Sequence, residues 1–204
     1  MNSELIQAII TVVAVTNPLG NAPVFGQLVA DLPKSSQHAA AARAAIVVLI
    51  ILAGSALVGE AVLKLFGISL DAFRIAGGVI VATMGFGMLN GSHSAIQSGP
   101  ETEDSVSESI VVPFAMPLCA GPGAISAVIT ISLAHGSGGV PFTALVASLV
   151  GAVVLYGVLL STVALEKFVS PSAQRIFTRF MGLILVAMGF QFVMHGVKDF
   201  FFPA

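Results

Sequence analysis

Six runs of apolar residues, each close to or longer than the roughly 20 that carry a helix across a bilayer, dominate this chain. They cover about residues 5–30, 44–66, 72–91, 109–134, 141–165 and 177–197. In hydrocarbon every backbone N–H and C=O must be paired inside the structure, so runs of this length read as helices. Composition agrees, because 56% of the 204 residues are hydrophobic and only 9% are charged. A mean hydropathy of +1.01 leaves too little polar surface to cover a soluble globule. The expected fold class is an all-α integral membrane protein with six transmembrane helices. The first run is read as a mature span and not a cleaved signal peptide: no basic residue precedes it, and Pro18, Gly20, Asn21 and Pro23 interrupt it where a signal would be smooth.

Two of the six runs carry the same interruption. Pro18-Leu19-Gly20-Asn21-Ala22-Pro23 and Pro117-Leu118-Cys119-Ala120-Gly121-Pro122 both read PLxxxP, each near the middle of its run. Proline removes a backbone donor and clashes with the preceding turn, so paired prolines with glycine between or beside them should break both helices near the bilayer midplane. Pro23 and Pro122 are expected at the first turn of a restarting half-helix, with Asn21 or Gly121 at the cap. Interrupted spans at matching places in two halves of a chain point to a transporter's binding site.

The halves themselves are legible. Residues 91–109 hold Glu101, Glu103, Asp104 and Glu108 and no Lys or Arg, the composition of an acidic polar linker. The expected organisation is a first three-helix repeat at 1–90, this linker, and a second three-helix repeat at 110–204. Gly78, Ile80, Met84, Gly85 and Phe86 recur 104 positions later as Gly182, Ile184, Met188, Gly189 and Phe190. With three spans in each half, equivalent halves must enter the membrane from opposite sides, which makes them inverted repeats with broken first and fourth helices. Loops on the side of the termini hold Lys64, Arg74 and Lys198, whereas the other side holds Lys34, Arg43, Lys167, Arg175 and Arg179. The excess of basic residues on the second side favours termini outside and the linker inside the cell.

Freed amides and carbonyls at the breaks need partners, and each half-helix amino terminus offers unpaired N–H groups with about half a unit of positive charge. That combination suits a carboxylate. The candidate substrate-binding residues are Asn17, Gly20, Asn21, Ala120, Gly121, Gly123 and Ala124, with Pro18, Pro23, Pro117 and Pro122 as the structural breaks. Asn17 and Asn21 can instead hold helices together; their place inside the break favours a ligand, and replacing either is expected to harm transport more than folding. Thr83 and Gln191 read as interhelical hydrogen-bonding groups, and Gly77, Gly78, Gly85, Gly182 and Gly189 as packing positions.

No Asp, Glu, Lys or Arg lies in the middle of a span; Glu60 and Lys64 stand four apart near the end of the second, where they can pair. A carboxylate proton relay and a permanently charged substrate are thus poorly served. A zwitterion fits, its carboxylate on the half-helix amino termini and its ammonium on freed carbonyls or the oxygens of Asn17 and Asn21. The small residues around the breaks, with Phe25 the exception, select small neutral amino acids. His38, His93, His135 and His195 fall in loops or near span ends, and no HExxH or GxSxG motif occurs, so neither an enzyme nor a metal or cofactor site is expected. The net charge of −2 and scattered basic residues offer no footprint for nucleic acid. The single Cys119 leaves no internal disulfide.

Asn17-Pro18-Leu19-Gly20-Asn21-Ala22-Pro23 and Pro117-Leu118-Cys119-Ala120-Gly121-Pro122-Gly123-Ala124 resemble the two signature stretches of the MarC family of bacterial and archaeal membrane proteins. The resemblance covers essentially the whole chain, including the sixth span from Arg179-Phe180-Met181-Gly182-Leu183-Ile184-Leu185. It implies a multi-pass protein of the bacterial inner membrane, and some members are described as transporters of small neutral amino acids such as glycine and alanine. The family's name, which derives from antibiotic resistance, is not carried over as a role. For Cys119 and Ala120 the resemblance carries over the backbone position and not the side chain. The expected function is a secondary transporter of the glycine, alanine and serine class working by alternating access, with the lipid bilayer, the amino acid and a coupling ion, proton or sodium, as partners. The alternative is a non-transporting regulatory or scaffold membrane protein whose broken spans bind a partner. The packing glycines would serve contacts within or between chains equally well.

Overall fold

The computed structural model describes residues 2–30, 32–90, 110–135, 140–165 and 171–202. These form seven α-helices and one π-helical segment: α1 (Asn2–Thr16), α2 (Pro18–Val29), α3 (Lys34–Leu65), α4 (Leu70–Asn90), the π-segment (Ile110–Cys119), α5 (Pro122–His135), α6 (Phe142–Leu165) and α7 (Pro171–Phe201). No strand occurs among the described residues. Five stretches are long and apolar enough to cross a membrane: Ser3–Val29, which runs through α1 and α2, then α3, α4, most of α6 and the later part of α7. The fourth apolar run is divided between the π-segment and α5. At 1.5 Å per residue, the 14 residues of α5 reach only about 21 Å of a roughly 30 Å hydrocarbon core. The linker expected at 91–109, and with it the boundary between the halves, lies outside the described residues.

α3 begins about ten residues before the apolar run that announced it. Residues 34–43 are rich in Ala, a strong helix former, and their polar groups are anchored. The Gln37 amide is buried and donates to the carbonyls of Val29 (2.9 Å) and Leu32 (3.1 Å), which closes the end of α2. Lys34 Nζ donates to Gln37 Oε1 and to the carbonyl of Val163, both at 2.9 Å, so the start of α3 is tied to the last turn of α6. Near the other end of α3, Glu60 and Lys64 form the ion pair that their spacing predicted.

α4 and α7 run antiparallel with their backbones in contact. A Cβ added to Gly78 would come within 2.5 Å of the Gly189 carbonyl, and one added to Gly85 within 2.6 Å of the Gly182 carbonyl. These glycines do what sequence assigned to them: without side chains, two helices approach closely enough for dispersion to hold them in a solvent as apolar as they are. Thr83 differs from expectation, since its hydroxyl bonds the Val79 carbonyl of its own helix at 2.8 Å. The core between the other helices is built from Ala40, Ala41, Ala44, Val48 and Leu52 of α3, Ala144, Ala147, Leu155 and Leu159 of α6, and the π-segment's Phe114. Phe114 meets Phe25 of α2 with ring centroids 5.5 Å apart. Ile50, Val153 and Phe190 lie exposed on the outside, where a membrane protein faces lipid.

Candidate functional site

The two interruptions are built differently. At the first, one residue bends the chain: Asn17 adopts the left-handed conformation (φ +44°, ψ +59°) between α1 and α2, and asparagine tolerates this better than most residues. α2 therefore starts at Pro18, not at Pro23, which lies inside it. Pro23 was expected at the first turn with Asn21 as the cap; Pro18 and Asn17 hold those places because the asparagine takes the turn that sequence assigned to the region after it. The break is also narrower than an unwound segment, since Asn17 N–H still reaches the Val13 carbonyl (3.2 Å) and Asn21 N–H the Asn17 carbonyl (3.1 Å).

Side-chain amides replace the backbone bond the kink removes. In a continuous helix the Gly20 N–H would meet the Thr16 carbonyl. Here Gly20 N–H donates to Asn17 Oδ1 (3.2 Å) and Asn21 Nδ2 donates to the Thr16 carbonyl (2.9 Å). Asn21 Nδ2 also reaches Cys119 Sγ at 3.4 Å, and Asn17 Nδ2 reaches Met188 Sδ at 3.6 Å, so the first break touches both the second break and α7. Gly20 is glycine for a local reason: a Cβ there would strike the Asn17 amide.

At the second interruption the helix widens before it stops. The π-segment contains Pro113 and Pro117 and ends with the Ala120 N–H bonded five residues back to the Ala115 carbonyl (2.8 Å). Wide turns of this kind accommodate helices interrupted by proline and recur at functional sites. Gly121 then caps α5, its carbonyl accepting from Ile125 N–H at 2.9 Å, and Pro122 is the first helical residue as expected. Pro122 needs a flat neighbour, and Gly77 of α4 supplies it, since a Cβ there would overlap the proline ring.

α2 and α5 leave the middle of the bundle in opposite directions. α2 runs beside the end of α6, with Gly26 against Thr162, whereas α5 runs beside the end of α3, where Ser132 Oγ donates to the Ala56 carbonyl at 2.8 Å. Their amino termini therefore both lie in the middle. Between them is a cavity of about 10 Å³ lined by Asn17 and Asn21 from the first break, Gly121, Gly123 and Ala124 from the second, and Val15, Val81, Leu118, Leu185, Met188 and Phe192 around them. Five of the seven candidate binding residues thus share one cavity. Gly20 and Ala120 are not on its wall, and Phe25 is packed into the core instead.

The two amino termini do not offer the same chemistry. α2 has its early donor at Gly20 engaged by Asn17 and faces the cavity with two carboxamide side chains. α5 has a glycine cap with no side chain to engage its donors, and Gly123 and Ala124, second and third in the helix, line the cavity. Such N–H groups have no partner within the helix and sit at the positive end of its dipole.

A charged group lies closer to this site than the sequence suggested. Arg74, near the start of α4, pairs with Asp199 near the end of α7 at 2.8 Å, and its Nε approaches Ser126 Oγ on α5 at 3.4 Å. Ser126 in turn donates to the Gly123 carbonyl at 3.0 Å. One half-buried guanidinium thus holds three helices together one turn from the cavity. Phe192 and Met188 were also not singled out as site residues from sequence; Met188 lay inside the repeat but carried no role, and Phe192 is one of 14 phenylalanines with nothing to mark it.

The family model of the MarC family integral membrane proteins matches residues 2–201. A membrane protein of Pyrococcus horikoshii is 38% identical over 188 residues, covering 92% of this chain and 91% of that protein. The Escherichia coli membrane protein YhcE is 36% identical over 191 residues, covering 92% of this chain and 89% of its own. A protein of Citrobacter koseri described as the inner membrane protein MarC is 34% identical over 204 residues, with 94% and 92% covered. No solved structure matches the chain.

Proposed function

The chain belongs to the MarC family of integral membrane proteins, and from that premise we propose that it is a secondary transporter of small neutral amino acids of the bacterial inner membrane. The observation that carries the reading is the meeting of two half-helix amino termini on one cavity in the middle of the bundle. The α5 terminus, with the amides of Gly123 and Ala124, holds the substrate carboxylate. The carboxamide oxygen of Asn17 or Asn21 receives the ammonium, and the small residues on the α5 side leave room for glycine, alanine or serine. Charge balance is met by dipoles and amides, as a net-neutral zwitterion requires.

Six spans arranged as two inverted repeats supply the motion. This is supported by reciprocal contacts: Gly78 and Gly182 are equivalent, as are Gly85 and Gly189, and Gly78 packs on Gly189 while Gly85 packs on Gly182. Such an exchange is what a two-fold relation between halves produces. Val81 and Leu185, also 104 apart, both line the cavity, and Ala45, Leu49, Leu149 and Val153, at the same offset, wall one groove between α3 and α6. A cavity of about 10 Å³ is at the threshold for one water. The conformation is therefore closed around an empty-sized site, and rocking of one half against the other opens it to either face.

The test is counterflow in proteoliposomes with labelled glycine, alanine and serine, with and without proton or sodium gradients. The proposal expects protein-dependent exchange of all three, and a gradient that drives accumulation identifies the coupling ion. Exchange no faster than in empty liposomes would reject the carrier and favour a scaffold.

A further inference from the structure

Phe192 stands where the proposed ligand has to go. The three atoms nearest to a Cβ built on Gly123 are all ring carbons of Phe192. The same ring, with Met188 one turn earlier and Leu185 beyond it on α7, forms the α7 wall of the cavity. Since the cavity has room for about one water, an amino acid enters only if a wall withdraws. The α5 wall is backbone and short side chains at a helix start. Asn21 is buried and held by the Thr16 carbonyl and Cys119. Val81 and Leu185 are buried core residues of α4 and α7. Of the half-buried walls, Asn17 is tied to Gly20 N–H and Met188, and Val15 is a short branched side chain. Phe192 and Met188 remain, the ring with exposed space to turn into and the unbranched thioether able to adapt.

We propose that Phe192, assisted by Met188, is the specificity-determining side chain of this site. The space that the ring leaves on withdrawing from Gly123 is the space the ligand occupies. The bulk of ring and thioether that remains beside it admits glycine, alanine and serine and rejects neutral amino acids with branched or aromatic side chains. This rests on the transport reading, and its tests are chosen so that the two can fail separately.

Competition against labelled glycine counterflow is measured for the wild type, Phe192→Ala, Phe192→Leu and Met188→Ala, each reconstituted as the full chain. For Phe192→Ala, leucine should gain on glycine as a competitor by about tenfold or more, the scale set by removing bulk from an apolar pocket. Phe192→Leu should fall between that variant and the wild type, and it guards against loss of fold. An unchanged order of competitors in well-folded variants overturns the proposal. A second readout needs no transport: in an Ala124→Cys, Cys119→Ala protein, the rate of reaction with a small thiol reagent should rise about tenfold when Phe192→Ala is added. That factor is an order-of-magnitude expectation for removing the largest movable side chain from the wall of a cavity at the one-water threshold. If the wild type exchanges no amino acid, the transport reading falls, and equal labelling rates would remove Phe192 from the cavity's closure as well.

Discussion

Asn17 serves the fold and the site with the same side chain. Its left-handed backbone starts α2, its oxygen caps Gly20, and its amide nitrogen reaches Met188 across the cavity. Asn17→Ala loses the cap, worth about 1 kcal/mol, and leaves in the left-handed conformation a residue without the short polar side chain that lets asparagine tolerate it, on the order of 1 kcal/mol more. Asn17→Gly keeps the backbone and should lose well under half as much, while both variants lose glycine exchange because neither presents an amide to the cavity. Asn21→Ala orphans the buried Thr16 carbonyl at about 1 to 3 kcal/mol, so its thermal stability should fall together with transport. Thermal unfolding in detergent beside counterflow checks all three; an Asn17→Gly protein with normal exchange would confine Asn17 to a structural role. From sequence both asparagines were expected to matter more for transport than for folding; for Asn17 the glycine variant keeps that expectation, whereas the buried hydrogen bonds of Asn21 lead us to expect comparable losses there. The prolines announced the breaks, but only side-chain geometry decides which proline starts the helix, since the kink depends on where the Asn17 amide reaches. Phe192 could not be read at all, because nothing local distinguishes it from a lipid-facing phenylalanine.

At the scale of elements, the α4 and α7 pair shows what spacing can and cannot tell. The glycines on both helices were read as packing positions and the offset of 104 as a repeat, but neither said that these two helices meet each other. Which glycines meet backbone and which face lipid is a question of rotation about the helix, and a smooth apolar run carries little signal for it. The difference is measurable. A side chain on Gly189 would come within 2.5 Å of the Ala82 nitrogen and the Gly78 carbonyl, neither of which can yield. Gly157 on α6 has nothing within 4 Å. Gly189→Leu should therefore cost about 3 kcal/mol or more, beyond the usual range for overpacking because the obstacle is backbone, whereas Gly157→Leu should remain within about 1 kcal/mol of wild type. Similar melting temperatures for the two in detergent would show that the helices are not in backbone contact. The π-segment was legible only as a break: two prolines said that the helix could not continue normally, but not that it would widen first.

Across the whole molecule, the α-helical class and the number of apolar runs follow from composition and run length, because the bilayer leaves the backbone so few solutions. The start of α3 at Lys34 was not visible, since its first ten residues are held by Gln37 and Lys34 contacts and not by hydropathy. The proposed six crossings would place both termini on one side, which the excess of basic residues on the other side favours as the exterior. Single cysteines introduced at the amino terminus and near residue 98 in a Cys119→Ala background should react with an impermeant reagent in intact cells at the terminus only; labelling at residue 98 alone would invert the topology. The most direct test of the central claim, that α5's amino terminus holds a substrate carboxylate, is competition between glycine and glycinamide in proteoliposome counterflow. Glycinamide keeps the amine and the size but carries no carboxylate, so it should leave labelled glycine exchange nearly untouched at concentrations where unlabelled glycine or alanine abolishes it. Glycinamide competing as well as glycine does would contradict the account, since the amides of Gly123 and Ala124 would then have no charge to hold.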